Sequence, residues 1–355
     1  MPRPFVSVLI DTYNHERFIE QAIVSVFEQD FPASEREILV VDDGSTDRTP
    51  EIVRKFEPQV RLLRKANGGQ ASAFNTGIPE CEGEIIAFLD GDDWWAPNKL
   101  SIVAEALRAN PEFGVVGHGL YEVGELGERH FSNVPNRQYS CRLRTLEEAN
   151  QFTELMSFLG TSRLAMRKNV CLRILPLPEQ LVIEADEFLV TLAVALSGCI
   201  VLENPLTNYR LHAGNLYQFT EFSETKLERK CASLTCLVKE LPPRLSESGA
   251  SAAVIQFLTM PNWIQATRSR LALGNGHVWE TARVEHLAFR HAYSHASFGY
   301  HIFHTAVLAA ACVVPPRVFY RLRNWYAQRG LARARGAMGT PVSKPGLFVR
   351  TASRS

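Results

Sequence analysis

Two apolar runs near the start of this 355-residue chain end in clustered carboxylates. Glu37-Ile-Leu-Val-Val41 stops at Asp42 and Asp43, and Ile85-Ile-Ala-Phe-Leu89 stops at Asp90, Asp92 and Asp93. A single aspartate after a strand commonly caps the next helix or starts a turn, and Asp47 reads as no more than that. Five carboxylates converging on one sheet edge would repel one another unless something positive sat among them. A hard divalent cation, Mg²⁺ or Mn²⁺, suits the pattern, because it takes oxygen ligands and commonly brings a phosphate with it. Asp92 is the leading candidate ligand, with Asp90 and Asp93 behind it. Tyr13 offers a flat face to a base, although half-buried packing would account for it too. Asn67-Gly68-Gly69-Gln70 would let backbone approach a ligand closely, but is equally an ordinary turn. Trp94 and Trp95 either wall off a sugar ring or pack the following helix.

The elements that must position these residues alternate. Strand patterns at 5–10, 37–41, 60–63, 85–89 and 114–117 are separated by helix patterns from Glu16, at 46–56 and 98–109, and by a short helix or turn at 70–77. In the first helix Ile19, Ala22, Ile23, Val26 and Phe27 recur at three- and four-residue steps, one apolar face. Such alternation predicts an α/β domain with a mostly parallel, Rossmann-like sheet and helices on both faces. Sheets of this kind bind ligands at the carboxyl ends of their strands, where the aspartates lie.

Ser7-Val-Leu-Ile-Asp-Thr-Tyr-Asn14, Val41-Asp-Asp-Gly-Ser-Thr-Asp47, Asn67-Gly-Gly-Gln-Ala-Ser-Ala-Phe-Asn-Thr-Gly77 and Gly83-Glu-Ile-Ile-Ala-Phe-Leu-Asp-Gly-Asp-Asp-Trp-Trp-Ala-Pro97 together resemble the family 2 glycosyltransferases of GT-A fold. The likeness is specific over the first hundred residues, weakens after about residue 120 and fades after about 220. It implies an inverting, metal-dependent transfer of a sugar from a nucleotide diphosphate donor to an acceptor hydroxyl. On that resemblance Tyr13 would stack on the nucleobase, Thr12 would lie beside the nucleoside, and Asp43 would hydrogen-bond the base. Asn67 falls in the nucleoside-facing segment, Asp90 near the ribose or the metal, and Asp92 is the main ligand of the Asp-x-Asp motif. The chain departs from the family at Phe74, where many members carry Arg, so that contact is missing or supplied elsewhere. It departs again at Asp11, where a small or apolar residue is common and for which the sequence offers no account. The Gln-x-x-Arg-Trp motif of processive synthases and their transmembrane helices are absent, which points to one sugar per encounter.

Inverting displacement needs a base for the acceptor hydroxyl, and a carboxylate within hydrogen-bonding reach would serve. Family members place an acidic pair before an apolar helix ending in Gly. Counting back from Gly198 selects Asp186 and Glu187 within Ile183-Glu-Ala-Asp-Glu-Phe-Leu189. Asp186 is the expected base, with Glu187 and Glu184 as alternatives. A plainer reading is that these acids favour the helix N-terminus. Asn208-Tyr-Arg-Leu-His-Ala-Gly-Asn215 resembles the segment that closes over the diphosphate. There His212 is a second candidate metal ligand, and Arg210 a bidentate partner for phosphate.

Lys and Arg balance Asp and Glu at 38 each, which argues against a nucleic-acid partner. After Glu285 there are no acids, and Arg317, Arg321, Arg323, Arg329, Arg333 and Arg335 follow an apolar run at 305–314 too short to span a bilayer. That pairing suits contact with an anionic membrane surface, and a packed terminal helix explains it equally well. Seven scattered cysteines without zinc spacing read as buried thiols, and the start of the chain lacks signal-peptide architecture. A cytoplasmic protein follows, either free or at the inner face of the membrane. The expected organisation is a GT-A domain over 1–220 (donor half 1–120, acceptor half 121–220), a helical region over 221–335 and a disordered tail from 336 to 355. The histidines at 286, 291, 295, 301 and 304 have mixed spacing and no accompanying acid, so they do not read as a metal site. The expected acceptor is a saccharide or lipid-linked saccharide of surface polysaccharide or glycolipid synthesis. A nucleotidyltransferase could share fold and aspartates, but would need a Gly-rich, basic loop after the first strand, which is not there. A catalytically degenerate glycosyltransferase acting as a binding module is favoured only by Phe74.

Overall fold

The computed structural model describes residues 5–124, 127–212, 224–292 and 298–325. The expected tail at 336–355, and Gly214 and Asn215 of the closing segment, lie outside the described residues. The chain divides into two compact units, one from 1–218 with 239–258, the other from 219–238 with 259–355.

In the first unit β1 (Val6–Thr12), α1 (Ile19–Phe27), β2 (Arg36–Asp42), α2 (Thr49–Arg54), β3 (Val60–Arg64), α3 (Gln70–Glu80) and β4 (Ile85–Asp90) follow the alternation read from the sequence. Strands β3, β2, β1 and β4 lie side by side and parallel. Val6, Val8 and Ile10 point to one face and pack with Ile19, Ile23 and Val26 of α1. The other face carries α3, which approaches so closely at Gly77 that an added Cβ would fall 2.5 Å from Leu9 Cδ1. With both faces covered, β1 is apolar on both sides through Val8, Leu9 and Ile10, as suits a central parallel strand.

The remaining elements are β5 (Trp94–Trp95), α4 (Lys99–Ala109), β6 (Val115–Gly124), β7 (Arg129–Asn133), β8 (Tyr139–Cys141), α5 (Leu146–Leu155), β9 (Ala165–Arg167), α6 (Lys168–Ile174), α7 (Ala185–Ser197) and β10 (Cys199–Leu211). They extend the sheet in mixed sense. Three-residue β9 lies antiparallel between β4 and β6, β6 and β10 pair in parallel, and β5, β7 and β8 add antiparallel partners. The parallel run is thus confined to the donor half and to β6 with β10. Strand β10 absorbs a register shift around Pro205, whose missing N–H interrupts the ladder.

The second unit is helical. It draws on α8 (Glu224–Glu247) and α9 (Ala252–Ala272), each of which contributes residues to both units, and on α10 (Val278–Ala292), α11 (Phe298–Val313) and α12 (316–325). Its apolar centre joins Ile264, Leu271, Val284, Ala311, Phe319 and Tyr320. Among the described residues no helix is long and apolar enough to cross a membrane.

Candidate active site

The carboxyl end of β1 organises the site. Asp11 is the Cα partner of Asp90 on β4, and Thr12 the partner of Asp42 on β2. Backbone bonds extend the stitching past the strands: the Asp43 N–H donates to Thr12 O at 2.9 Å, and the Gly91 N–H to Asp11 O at 2.9 Å. Gly91 lies so close to the first loop that a Cβ there would sit 2.6 Å from Thr12 Oγ1. Both acidic tips therefore flank one strand end.

The carboxylates have divided roles. Asp42 is spent on the fold, accepting the Ser45 N–H at 3.0 Å and Arg64 Nε at 3.1 Å. Its place among converging site acids is corrected accordingly. Asp43 accepts Lys65 Nζ at 2.7 Å, the Gly68 N–H at 3.0 Å and the Gly69 N–H at 2.7 Å, while Asn67 Nδ2 donates to its carbonyl. The sequence reading gives the Asp43 carboxylate to a nucleobase; the geometry gives it first to the 65–69 loop. That loop needs Gly69, whose φ is +82° and whose Cβ would lie 2.6 Å from Val182 Cα. The Gln70 and Ala71 N–H groups donate to Val182 O and Leu181 O, tying the loop to the segment just before Asp186.

Asp92 and His212 meet: Asp92 Oδ2 lies 3.0 Å from His212 Nε2 and 3.8 Å from His15 Nε2. Burial would raise the Asp92 pKa, but the His212 hydrogen bond and the two imidazole charges outweigh it and hold it below the usual range. His15, which the sequence reading passed over, also stands 3.2 Å from Thr12 Oγ1, and burial lowers its pKa. Phe18 packs on the His212 ring at 4.6 Å.

The neighbouring acids behave in the opposite way. Burial pushes Asp11 up to about 8, reinforced by the charges of Asp92, Asp186 and Asp43. Asp90 is raised well above its usual value by burial and by Asp11, and Asp93 rises to about 8 through burial and Asp92. Asp11 Oδ1 and Asp93 Oδ2 are buried without a hydrogen-bond partner. Asp186, the second residue of α7, belongs to the same field, since its charge acts on both Asp11 and Asp90. Glu184 precedes α7 at φ 65°, a left-handed conformation that costs a non-glycine residue energy.

Three residues on the turn Thr161–Arg163 support the site, and sequence reading did not find them. Gln70 Nε2 donates to Thr161 Oγ1 at 3.0 Å, and Ser162 Oγ donates to Asp90 Oδ2 at 3.1 Å. The Ser162 carbonyl accepts from Trp95 Nε1, Lys99 Nζ and Thr207 Oγ1. The Arg163 charge is felt by Asp93, and its own pKa, lowered chiefly by burial, is supported by Tyr209, Asp186, Asp93 and Asp90. Positive charge therefore reaches the cluster from the second half of the domain. Phe74 could not supply it, being buried edge-on to Phe88 at 5.3 Å. The only advance signal was that Phe74 leaves an arginine unaccounted for.

Arg210 is tied into the fold. Its backbone N–H donates to Asp93 Oδ1 at 2.9 Å, Nε to Asp92 O at 2.9 Å and Nη2 to Gln21 Oε1 at 2.5 Å. The guanidinium lies over the rings of Trp94 at 4.4 Å and Phe18 at 4.7 Å, and the residue is buried. It locks β10 to the Asp92–Asp93 turn. Of the two tryptophans, Trp95 is core, and Trp94 carries the arginine. Thr12 is buried, whereas Tyr13 is 43% exposed, its ring available at the rim.

Among the described residues no three His, Cys, Asp or Glu side chains converge to hold a metal by themselves. Asp92 and His212, joined by a hydrogen bond of 3.0 Å, nonetheless carry the donor types, a carboxylate oxygen and an imidazole nitrogen, that a divalent cation takes. Mg²⁺-like ions are commonly held by one or two protein groups, with substrate phosphates and water completing the shell.

The acids at the tips of β1, β2 and β4 and the Asp92–His212 pair thus gather at the carboxyl ends of the strands, where sheets of this kind bind ligands. The family model described as Glycosyl transferase family 2 matches residues 7–174. An uncharacterized glycosyltransferase of Nostoc sp. is 30% identical over 230 residues, 63% of this chain and 70% of that one. The poly(ribitol-phosphate) beta-N-acetylglucosaminyltransferase TarS of Staphylococcus aureus is 40% identical over 92 residues, 25% of this chain but 16% of TarS. The crystal structure of S. aureus TarS 1-349 in complex with UDP-GlcNAc superposes with a TM-score of 0.55 at 20% identity, covering 91% of each chain, a likeness of fold. The chain belongs to glycosyltransferase family 2 and is an inverting glycosyltransferase.

Proposed function

We propose that the chain transfers a single sugar per encounter from a nucleoside diphosphate to the hydroxyl of a saccharide or lipid-linked saccharide, with Mn²⁺ or Mg²⁺ held by Asp92 and His212. The observation that carries this reading is the 3.0 Å Asp92–His212 contact in the field of Asp90, Asp11 and Asp186. Residues 1–220 would form the catalytic domain and 221–335 an accessory helical region. Tyr13 at the rim stacks on the base, Thr12 lies beside the nucleoside, and the Asp43-ordered loop brings Asn67 and the Gly68–Gly69 backbone to the donor. Ser162 holds Asp90 in place on the donor side. Asp92 and His212 would hold the divalent cation, whose charge would offset the charge building on the departing diphosphate. Asp186 accepts the acceptor's proton as its oxygen attacks the anomeric carbon from the face opposite the leaving group. Should Asp186 not be the base, Glu187 and Glu184 stand next in line. Held together by one rigid strand end, donor and acceptor react as a positioned pair rather than by chance encounter.

The binding of UDP-GlcNAc by TarS makes that sugar nucleotide the first donor to try. A thermal-shift screen of nucleoside diphosphate sugars with and without Mn²⁺ tests the proposal. Stabilisation by at least one donor that requires the cation supports it. A screen in which no donor gives a cation-dependent shift would sink it.

A further inference from the structure

Helix α12 presents an apolar stripe to solvent. Phe319 and Tyr320 turn inward to the core of the helical unit. The Tyr320 hydroxyl donates to Glu285 Oε1 at 3.0 Å, and Arg323 Nη1 donates to the same oxygen at 2.8 Å. Those anchors fix the rotation of the helix. With that rotation Val318, Leu322 and Trp325 fall at i, i+4 and i+7 on the opposite side, exposed by 46%, 57% and 51%. At 100° per residue the three lie within a sector of about 60°. Arg321 borders the stripe and is exposed, and Arg317, one turn earlier on that border, pairs with Glu224 at 3.0 Å. Just before the helix, Val313 is 76% exposed.

The charge pattern says what covers this face. Residues 286–355 hold ten Lys and Arg and no Asp or Glu, in a chain whose net charge is zero. A partner protein chosen for apolar burial alone would not need that one-sided charge. An anionic bilayer uses both features, since Trp and Leu enter the headgroup boundary while Arg side chains meet lipid phosphates. The sequence alone directs attention to the run at 305–314. The structure shifts it, because Val307, Ala310 and Ala311 of that run pack into the helical core and the exposed face lies on α12.

We infer that α12 is an interfacial helix that seats this protein on an anionic lipid surface through Val318, Leu322 and Trp325. The inference stands on the helical unit alone, so its failure would leave the catalytic reading untouched, and the converse also holds.

Co-sedimentation of the full chain with vesicles tests it. Vesicles of phosphatidylcholine with phosphatidylglycerol should pull the protein down, pure phosphatidylcholine vesicles should not, and raised salt should release it. Leu322→Glu combined with Trp325→Glu should lower the bound fraction on the order of tenfold or more, by adding repulsive charge to the inserted face. Trp279→Glu, at an exposed tryptophan on α10 outside the stripe, should bind as the unaltered chain does. Circular dichroism monitors folding of the double variant, and the lipid and salt dependence of the unaltered chain stands without it. Equal binding to both vesicle types, no binding to either, or unimpaired binding by the folded double variant would overturn the inference. So would concentration-dependent dimerisation, abolished by Leu322→Glu, in a chain that ignores vesicles.

Discussion

Replacing Asp11 by Asn gives the sharpest test of the buried acid cluster. Burial and the charges of Asp92, Asp186 and Asp43 raise the Asp11 carboxyl from 3.8 to about 8. A carboxyl raised on folding binds its proton more tightly in the native than in the unfolded chain. Its contribution is therefore complete below the unfolded value near pH 4 and drains away as pH climbs towards 8. Across that window one such group costs at most about 1.4 kcal/mol per pH unit, or about 3 kcal/mol between pH 5 and pH 7. Asp90 and Asp93, both raised, add to the loss in the same direction. Asn imitates the protonated form and does not ionise. In EDTA, urea unfolding followed by circular dichroism should show the natural chain losing stability from pH 5 to pH 8. The Asn variant should lose less, so that the difference between them grows with pH in the variant's favour. Saturating Mn²⁺ should flatten the natural chain's decline, since a cation stabilises the ionised acids. Parallel pH dependences for the two proteins, or a natural chain that gains stability over this range, would refute the reasoning.

Other substitutions separate roles that the site combines. Arg210→Lys should lower the thermal midpoint, costing about 1–3 kcal/mol, because a lysine cannot reproduce the planar fork between Asp92 O and Gln21; a weakened donor KM with unchanged stability would return Arg210 to the phosphate. Gly69→Ala should cost about 1–3 kcal/mol in chemical denaturation and impair donor binding, through its φ of +82° and the 2.6 Å approach to Val182. Gly127→Ala, at φ +90° with nothing within 4 Å, should pay backbone strain alone. Asp186→Asn should leave donor affinity intact in calorimetry and reduce transfer by about 10²–10⁴-fold; retained turnover would move the base to Glu187 or Glu184.

The donor half was legible because its signals are local. Central parallel strands must be continuous apolar runs, and the motif aspartates follow them directly, so β1, β2 and β4 and their acidic tips could be read off the chain. Three-residue β9 could not be, because nothing local distinguishes Ala165-Met-Arg167 from a loop; its pairing with β4 and β6 is a tertiary event. The same limit hid Ser162 and Arg163, which act on Asp90 across about seventy residues of sequence. The structural partners of Arg210 were hidden for a related reason. A basic residue beside a histidine looks ready for phosphate until its neighbours, Gln21 and the Asp92 carbonyl, are known. Asp11, unexplained in the sequence, acquires a meaning only beside Asp90 on the next strand. The exposed stripe on α12 could not be separated from a packed terminal helix before Phe319 and Tyr320 were seen to face inward.

Calorimetric titration of uridine diphosphate into the natural chain and into Asp92→Ala, each with Mn²⁺ and with EDTA, addresses the strand-end site most directly. Binding by the natural chain that depends on Mn²⁺ and is lost in a folded Asp92→Ala variant is the expected outcome. Binding that is indifferent to the cation, or equally strong without the Asp92 carboxylate, would contradict the site described here.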